Sequence, residues 1–256
     1  MKKYKGFLFD LDGVAYIGPD VIPTCRDFVN QLVERNIKVG FITNNSSRTP
    51  KMVADHLNDL GYHVSEDHII TSSQVTADFV KDRPEKRIFV IGMEGIRKAL
   101  TDVGKEIVER DAEMVVVGLD FTIDYQKLQR AGQEILNGAT FIATNKDPKL
   151  LTKWGIGPGN GSIVKLLEHF TGVEALDMGK PGEAIFSYGL KRLGLKKEEV
   201  VMVGDYYYTD ILGAYRFGID SIFVETGVMT KEDILRLPYQ PTYIVKDLSF
   251  FPLDDE

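Results

Sequence analysis

The sequence predicts an α/β fold: a doubly wound parallel sheet carrying an inserted α/β unit. Three observations lead there. Short apolar runs recur along the 256 residues, and each ends in a polar residue or glycine. These runs do not alternate apolar with polar, which marks strands buried on both faces, as in a parallel sheet. Helical stretches separate them, and strand–helix–strand alternation gives right-handed crossovers.

In order, the predicted strands are Gly6–Phe9 before Asp10, 38–42 before Thr43, Arg87–Ile91 before Gly92, and Met114–Val117 before Gly118. They continue with Thr140–Ala143 before Thr144, 200–203 before Gly204, 221–224 before Glu225, and Tyr243–Val245 as the last. Thr49 and Pro50 start a helix whose apolar stripe is Met52, Val53, Leu57 and Leu60, with Gly61 as its stop. A second helix covers Glu183–Leu193 and ends at Gly194. The charged, proline-containing break at 82–86 and the glycine-bearing break at 171–179 bracket a separate strand–helix–strand unit. The expected division is therefore a core of 1–81 and 177–256, with 82–176 inserted.

Composition narrows the function classes. Lys and Arg number 31 and Asp and Glu 38, a net charge of −7. That balance argues against a nucleic-acid partner, which needs a basic face, and against an anionic membrane surface. No apolar run reaches the length that spans a bilayer. The opening segment is basic, but Asp10 and Asp12 interrupt it, unlike a signal peptide. Cys25 is the single cysteine and is expected as an inert helix thiol. The expected location is the cytoplasm. A homodimer and a monomer are both compatible with the pattern.

In open α/β sheets, ligands bind beyond the carboxyl ends of the strands. Those ends carry Asp10-Leu11-Asp12-Gly13, Thr43-Asn44-Asn45-Ser46, and Gly204-Asp205 with Asp210 five residues on; Gly179-Lys180-Pro181 precedes the helix at 183. Carboxylates at neighbouring strand ends repel unless a cation lies among them. Mg²⁺ suits such a set together with a substrate phosphate. Two acids in one turn can divide labour, one attacking and one handling the proton. Lys180, Thr43 and the backbone amides after it would hold phosphoryl oxygens.

Four motifs in order, FLFDLDG, FITNNSS, GKP and VMVGDYYYTDI, resemble the haloacid dehalogenase (HAD) superfamily. The opening at residues 10–16, VVVGLD, ATNKD and GPGNGS make the chain similar to the NagD-like, 4-nitrophenylphosphatase branch. The resemblance covers about residues 5–228. It implies a Rossmannoid core with the inserted unit as an α/β cap. It implies Asp10 as nucleophile and Mg²⁺ ligand, and Asp12 as general acid and base that gives its carbonyl to the metal. Lys180 would orient Asp10, Asp205 would be the second carboxylate on Mg²⁺, and Asp210 would support Asp205 or Lys180. Thr43, Asn44 and Asn45 would bind the phosphate. The implied reaction is hydrolysis of small phosphomonoesters (sugar phosphates, nucleoside monophosphates, aryl phosphates) through an aspartyl phosphate. Asp12 separates the chain from dehalogenases, whose halide leaving group needs no proton.

Tyr206, Tyr207 and Tyr208 stand where this branch often has polar or mixed residues. They are expected to pack on the sheet, with one ring as a candidate for the leaving group. Asp120, Thr144, Asn145 and Asp147 end strands of the inserted unit and are candidates for selecting that group. The run 155–161 fits GxGxxG in no frame and is expected as a turn before a helix. There is no GxxxxGK[ST] and no GxSxG, Gln31 breaks the cysteine-phosphatase spacing from Cys25, and the four histidines form no metal pair. A superfamily phosphotransferase or mutase and a receiver-like phospho-aspartate domain are the alternatives. The first lacks room for a small helical cap near the N-terminus. The second conflicts with Asp12, which would hydrolyse the group a receiver keeps.

Overall fold

The computed structural model describes residues 2–152 and 154–253. Two compact units emerge. The first is Met1–Thr43, Lys51–Ile70 and Lys180–Glu256; the second is Asn44–Pro50 and Thr71–Gly179. The long excursion into the second unit thus runs between 70/71 and 179/180, where 81/82 and 176/177 were expected, and the short segment 44–50 belongs to that unit as well. The charged break at 82–86 is the turn after a helix that packs with the second unit.

The chain opens with β1 (Gly6–Phe9), a small hairpin of β2 (Tyr16–Ile17) and β3 (Asp20–Val21), α1 (Pro23–Glu34), β4 (Lys38–Thr43), α2 (Pro50–Asp59) and β5 (Ile69–Thr71). The second unit follows with α3 (Ser72–Val80), β6 (Arg87–Ile91), α4 (Glu94–Asp102), β7 (Glu106–Ile107), β8 (Met114–Val117), α5 (Tyr125–Leu136) and β9 (Thr140–Ala143). It closes with β10 (Lys149–Thr152), β11 (Gly155–Pro158), α6 (Asn160–Thr171) and β12 (Leu176–Asp177). The first unit resumes with α7 (Glu183–Leu193), β13 (Val200–Gly204), α8 (Leu212–Phe217), β14 (Asp220–Val224), α9 (Lys231–Leu235) and β15 (Tyr243–Val245).

The first unit is built on a six-stranded sheet of order β15-β14-β13-β1-β4-β5. β1 pairs in parallel with both β4 and β13, with Phe9 opposite Phe41 and Val203. Every residue of β1 is buried, as the unbroken apolar run requires. Phe7, Phe9 and Phe41 share a cluster with Phe28, Val29 and Leu32 of α1 and Val53 and Leu57 of α2. Leu8 alternates to the other face and lies against Gly189 of α7. Helices therefore cover both faces. From β1 the chain moves to β4 on one side, and it later returns through β13 on the other. The carboxyl ends of β1 and β13 form the crevice where ligands bind in such sheets.

The second unit has its own five-stranded parallel sheet, β12-β9-β8-β6-β7. Its core joins Phe89, Val115, Val117 and Phe141 to Ala131 and Ile135 of α5 and Val164 and Leu167 of α6.

Three local expectations are corrected. Met52 is 42% exposed and lies off the buried stripe of α2. That helix ends at Asp59, and Leu60 packs from the turn that follows, half-buried. Gly155–Pro158 is a strand, β11, paired antiparallel with β10, and only Gly159 remains as the entry to α6. Cys25 lies buried in α1, and burial pushes its thiol up to about 12, as an inert thiol requires. Among the described residues no helix is long and apolar enough to cross a membrane.

Phe41 is fully buried, with ring centroids 5.7 Å from both Phe9 and Tyr62. Phe41→Ala should cost about 3–5 kcal/mol. Denaturant unfolding should show a lower midpoint at an unchanged slope, and a loss under 1 kcal/mol would count against this packing.

Candidate active site

Asp10 leaves β1 with its amide bonded to the Val203 carbonyl at 2.9 Å, so the first two strands of the site stay in register past their ends. Leu11 is buried, and its carbonyl accepts from the amides of Val14, Ala15 and Tyr16. This tight turn leaves Asp10 half-buried and Asp12 exposed, with Asp12 in a bridge to Tyr16. Gly13 turns at φ +83°, a left-handed value that favours glycine. A β-carbon at Gly13 or at Gly227 would collide with the Asp205 carboxylate.

Lys180 joins the pieces. Its Nζ lies 2.7 Å from Asp10 Oδ1 and 2.7 Å from Asp210 Oδ1, and its side chain is 2% exposed. Burial alone would lower the lysine's proton affinity. The charges of Asp10 and Asp210 outweigh that and hold it above the ordinary lysine range. Asp210 is wholly buried, and its Oδ2 accepts from the Tyr206 amide at 3.2 Å. Asp205 Oδ2 accepts from the Val228 amide at 2.9 Å. Thr226 Oγ1 donates to the Gly13 carbonyl at 2.6 Å, which ties the 226–228 loop to the turn after β1.

One carboxylate oxygen each from Asp10, Asp205 and Asp210 lies within 4.8 Å of the others. Fully ionised, three carboxylates against one ammonium would carry a charge of −2. Burial, with the Asp10 charge second, pushes Asp205 up to about 7 and Asp210 up to about 8. Asp205 Oδ1 is buried and has no hydrogen-bond partner among the described residues. An orphaned carboxylate oxygen in a set whose acids outnumber its one ammonium fits a hard divalent cation.

In the second unit, Asn44 Nδ2 donates to Asp147 Oδ2 at 2.9 Å. Asn145 Nδ2 donates to the Asn44 carbonyl at 2.8 Å. Asn45 Oδ1 accepts from the Ser47 amide and hydroxyl, both at 2.9 Å. Thr43 is the buried last residue of β4. Asp120 serves its own turn: its Oδ1 accepts from Thr122 and its Oδ2 pairs with Lys127 at 2.9 Å. Of the three tyrosines, Tyr207 is 2% exposed among Ile211, Phe223 and Ile234, whereas Tyr206 and Tyr208 are 38% and 50% exposed.

Sequence reasoning did not single out Ser72, Ser73 or Asn160. Ser72 Oγ and Ser73 Oγ donate to the carbonyls of Asn44 (2.9 Å) and Ser46 (3.0 Å). Asn160 Nδ2 donates to the carbonyls of Asn145 (2.8 Å) and Val117 (3.1 Å). The glycines around Asn160 were the available signal. A β-carbon at Gly159 or Gly161 would overlap the carbonyls of Asp147 or Lys146.

Residues 7–106 match the family described as haloacid dehalogenase-like hydrolase, and residues 177–250 match a HAD-hydrolase-like family. An acid sugar phosphatase of Staphylococcus epidermidis is 41% identical over 251 residues, 97% of each chain. The chain belongs to the haloacid dehalogenase-like hydrolases. A thermostable NPPase from Geobacillus stearothermophilus is 42% identical with a TM-score of 0.92, covering 98% of this chain and 99% of that one. NagD from E. coli K-12 is 27% identical with a TM-score of 0.93 and the same coverage. This HAD-family chain lies in the NagD-like branch, has its Rossmannoid core with cap, and is a phosphatase.

Asp177, two residues before Gly179, accepts from the Gly179 amide at 3.0 Å. Burial pushes its carboxyl up to about 6. The folded state then binds a proton that the unfolded chain has released between about pH 4 and pH 6, so Asp177 loses its stabilising contribution as pH rises through that window. Asp177→Asn should remove this decline. Its melting temperature relative to wild type should climb from pH 4 to pH 7, by at most about 3 kcal/mol of stability. A flat difference across that range would refute the assignment.

Proposed function

We propose that this phosphatase hydrolyses small phosphomonoesters in two steps at Asp10, with Mg²⁺ as cofactor. The observation that carries the reading is the Lys180 ammonium at 2.7 Å from both Asp10 and Asp210, in a cluster with a buried Asp205 oxygen that has no hydrogen-bond partner among the described residues. Candidate substrates are sugar phosphates, nucleoside monophosphates and aryl phosphates. The relatives named acid sugar phosphatase and p-nitrophenylphosphatase support the sugar and aryl phosphates among these.

Lys180 holds Asp10 Oδ1, which presents the other oxygen of that carboxylate for attack on phosphorus. The bond between phosphorus and the ester oxygen breaks, and the leaving oxygen takes a proton from Asp12. Asp12 then accepts a proton from water as that water attacks the aspartyl phosphate. The bond to Asp10 breaks, and inorganic phosphate leaves. An alkoxide leaving group needs this acid, and such help is typically worth about 10²–10⁴ in rate. Thr43 and the amides at Asn44 and Asn45 hold the phosphoryl oxygens, with Lys180 offsetting their charge. The Asp10 and Asp205 carboxylates and the Asp12 carbonyl would hold Mg²⁺, which supplies positive charge against the phosphoryl group. Asp210 keeps Lys180 in place. Residues 82–176, the bulk of the second unit, serve as the cap of this branch. The single buried cysteine and the acidic balance support work in the cytoplasm on a small metabolite, without nucleic acid or membrane partners.

The experiment is phosphate release from a panel of these esters, with Mg²⁺ or with EDTA. Wild type should turn over many times with the metal only, and Asp10→Asn should lose activity while keeping its fold. Asp12→Ala should slow sugar phosphates far more than 4-nitrophenyl phosphate, whose leaving group needs little proton help. Full turnover by Asp10→Asn would remove Asp10 as nucleophile, and equal losses for Asp12→Ala would remove the acid role.

Metal binding has its own signature. Burial and the Asp10 charge push Asp205 up to about 7, and a ligand must be deprotonated. Mg²⁺ should therefore raise the melting temperature more at pH 8 than at pH 6. An equal shift at both, or a larger one at pH 6, would contradict Asp205 as a ligand.

A further inference from the structure

Asn44 follows the last residue of β4 and is held on two sides within the second unit. Its carbonyl accepts from Ser72 Oγ at 2.9 Å and from Asn145 Nδ2 at 2.8 Å. Its side-chain amide donates to Asp147 at 2.9 Å. A trans peptide is planar, so its carbonyl and the following N–H point in opposite directions. The only cis bond among the described residues is Lys180–Pro181. Pinning the Asn44 carbonyl with two donors therefore aims the Asn45 N–H the opposite way. The next residues are fixed as well. The Ser46 carbonyl accepts from Ser73 Oγ at 3.0 Å, Ser46 Oγ accepts from the Leu119 amide at 3.1 Å, and the Ser47 carbonyl accepts from the Gly95 amide at 3.0 Å.

Asn145 is itself placed. Its side-chain oxygen accepts from the Asp147 amide at 3.1 Å, and its carbonyl accepts from Asn160 Nδ2 at 2.8 Å. Asn160 is 2% exposed and also reaches the Val117 carbonyl at the end of β8. The glycines on either side let α6 approach the 145–148 turn backbone to backbone: Gly159 N reaches Pro148 O at 2.9 Å and Gly161 N reaches Asp147 O at 2.8 Å. The Asn145 and Asn160 amides thus both reach main-chain carbonyls, and the series of contacts runs from β8 and α6 through Asn145 to Asn44.

We propose that Asn145 is a positioning residue for the phosphoryl-binding loop at 44–46, acting through the Asn44 carbonyl, with Asn160 holding Asn145. It does not select the leaving group. This rests on the reading above, in which amides of that loop hold the phosphoryl oxygens. Loss of the grip loosens the part of the site common to every substrate. The effect must then be the same for all esters and must extend to inorganic phosphate, which has no leaving group.

Asn145→Ala should lower kcat/KM for a sugar phosphate, a nucleoside monophosphate and 4-nitrophenyl phosphate by one common factor, about tenfold, in line with the loss of one buried hydrogen bond. Inhibition by inorganic phosphate, and its affinity measured by calorimetry with Mg²⁺, should weaken by about the same factor. Ser72→Ala reaches the same carbonyl from α3 and should give the same pattern, which keeps the test alive if Asn145→Ala fails to fold. Unchanged phosphate affinity in the folded variants would overturn the proposal, as would losses that differ between esters. Wild type that released no phosphate from any ester would instead bring down the phosphatase reading, and this inference with it.

Discussion

The Lys180 ammonium is the constraint on which the site depends. Three carboxylates with oxygens within 4.8 Å of one another repel by at least about 3 kcal/mol per pair at an effective dielectric near 20. One buried cation bonded at 2.7 Å to two of them makes their convergence tolerable. Those two acids come from different strands, Asp10 after β1 and Asp210 six residues past the end of β13. The pairing of β1 with β13, which continues through the Asp10 amide to the Val203 carbonyl, brings them within reach. The third acid, Asp205, accepts from a backbone amide on one oxygen and, among the described residues, has no hydrogen-bond donor on the other. The lysine neutralises part of the set and leaves a place for a second cation.

Much of this was legible because a parallel sheet simplifies the reading. Strands buried on both faces appear as unbroken apolar runs, and all their carboxyl ends lie on one edge. Asp10, Thr43 and Asp205 could therefore be placed from the runs before them. Lys180 stands at no strand end, and its place just before the helix at 183, together with the ordered motifs, singled it out. Edge strands of two residues such as β7 and β12 carry no run to recognise. The strand Gly155–Pro158 is written in glycine and proline, which normally mark turns, and only its partner β10 makes it a strand. Met52 is apolar and adjoins Val53 in sequence, yet it lies off the buried face of α2 and is 42% exposed.

The division by packing differs from the expected one for a related reason. A charged stretch such as 82–86 looks alike whether it ends a domain or a helix. Membership is decided by packing, and here by hydroxyls: Ser72 and Ser73 spend their donors on carbonyls at 44 and 46, which ties α3 and the 44–50 segment to one unit. Likewise three consecutive tyrosines meet different fates. Tyr207 turns into the apolar cluster at the start of a wide helical turn, while its neighbours stay exposed.

Motif reading fails most where side chains hold backbone. Asn145 and Asn160 donate to main-chain carbonyls, and every residue offers a carbonyl, so no partner residue type appears in the sequence to betray the contact. What the sequence can carry is the sterics such contacts demand. Gly159 and Gly161 flank Asn160 because a β-carbon at either would strike the 146–147 backbone. A glycine-dense run that fits no nucleotide-binding spacing is therefore still informative: it marks where two main chains touch. Here they touch at the turn whose asparagine reaches Asn44, so the run bears on the 44–46 segment without contacting it.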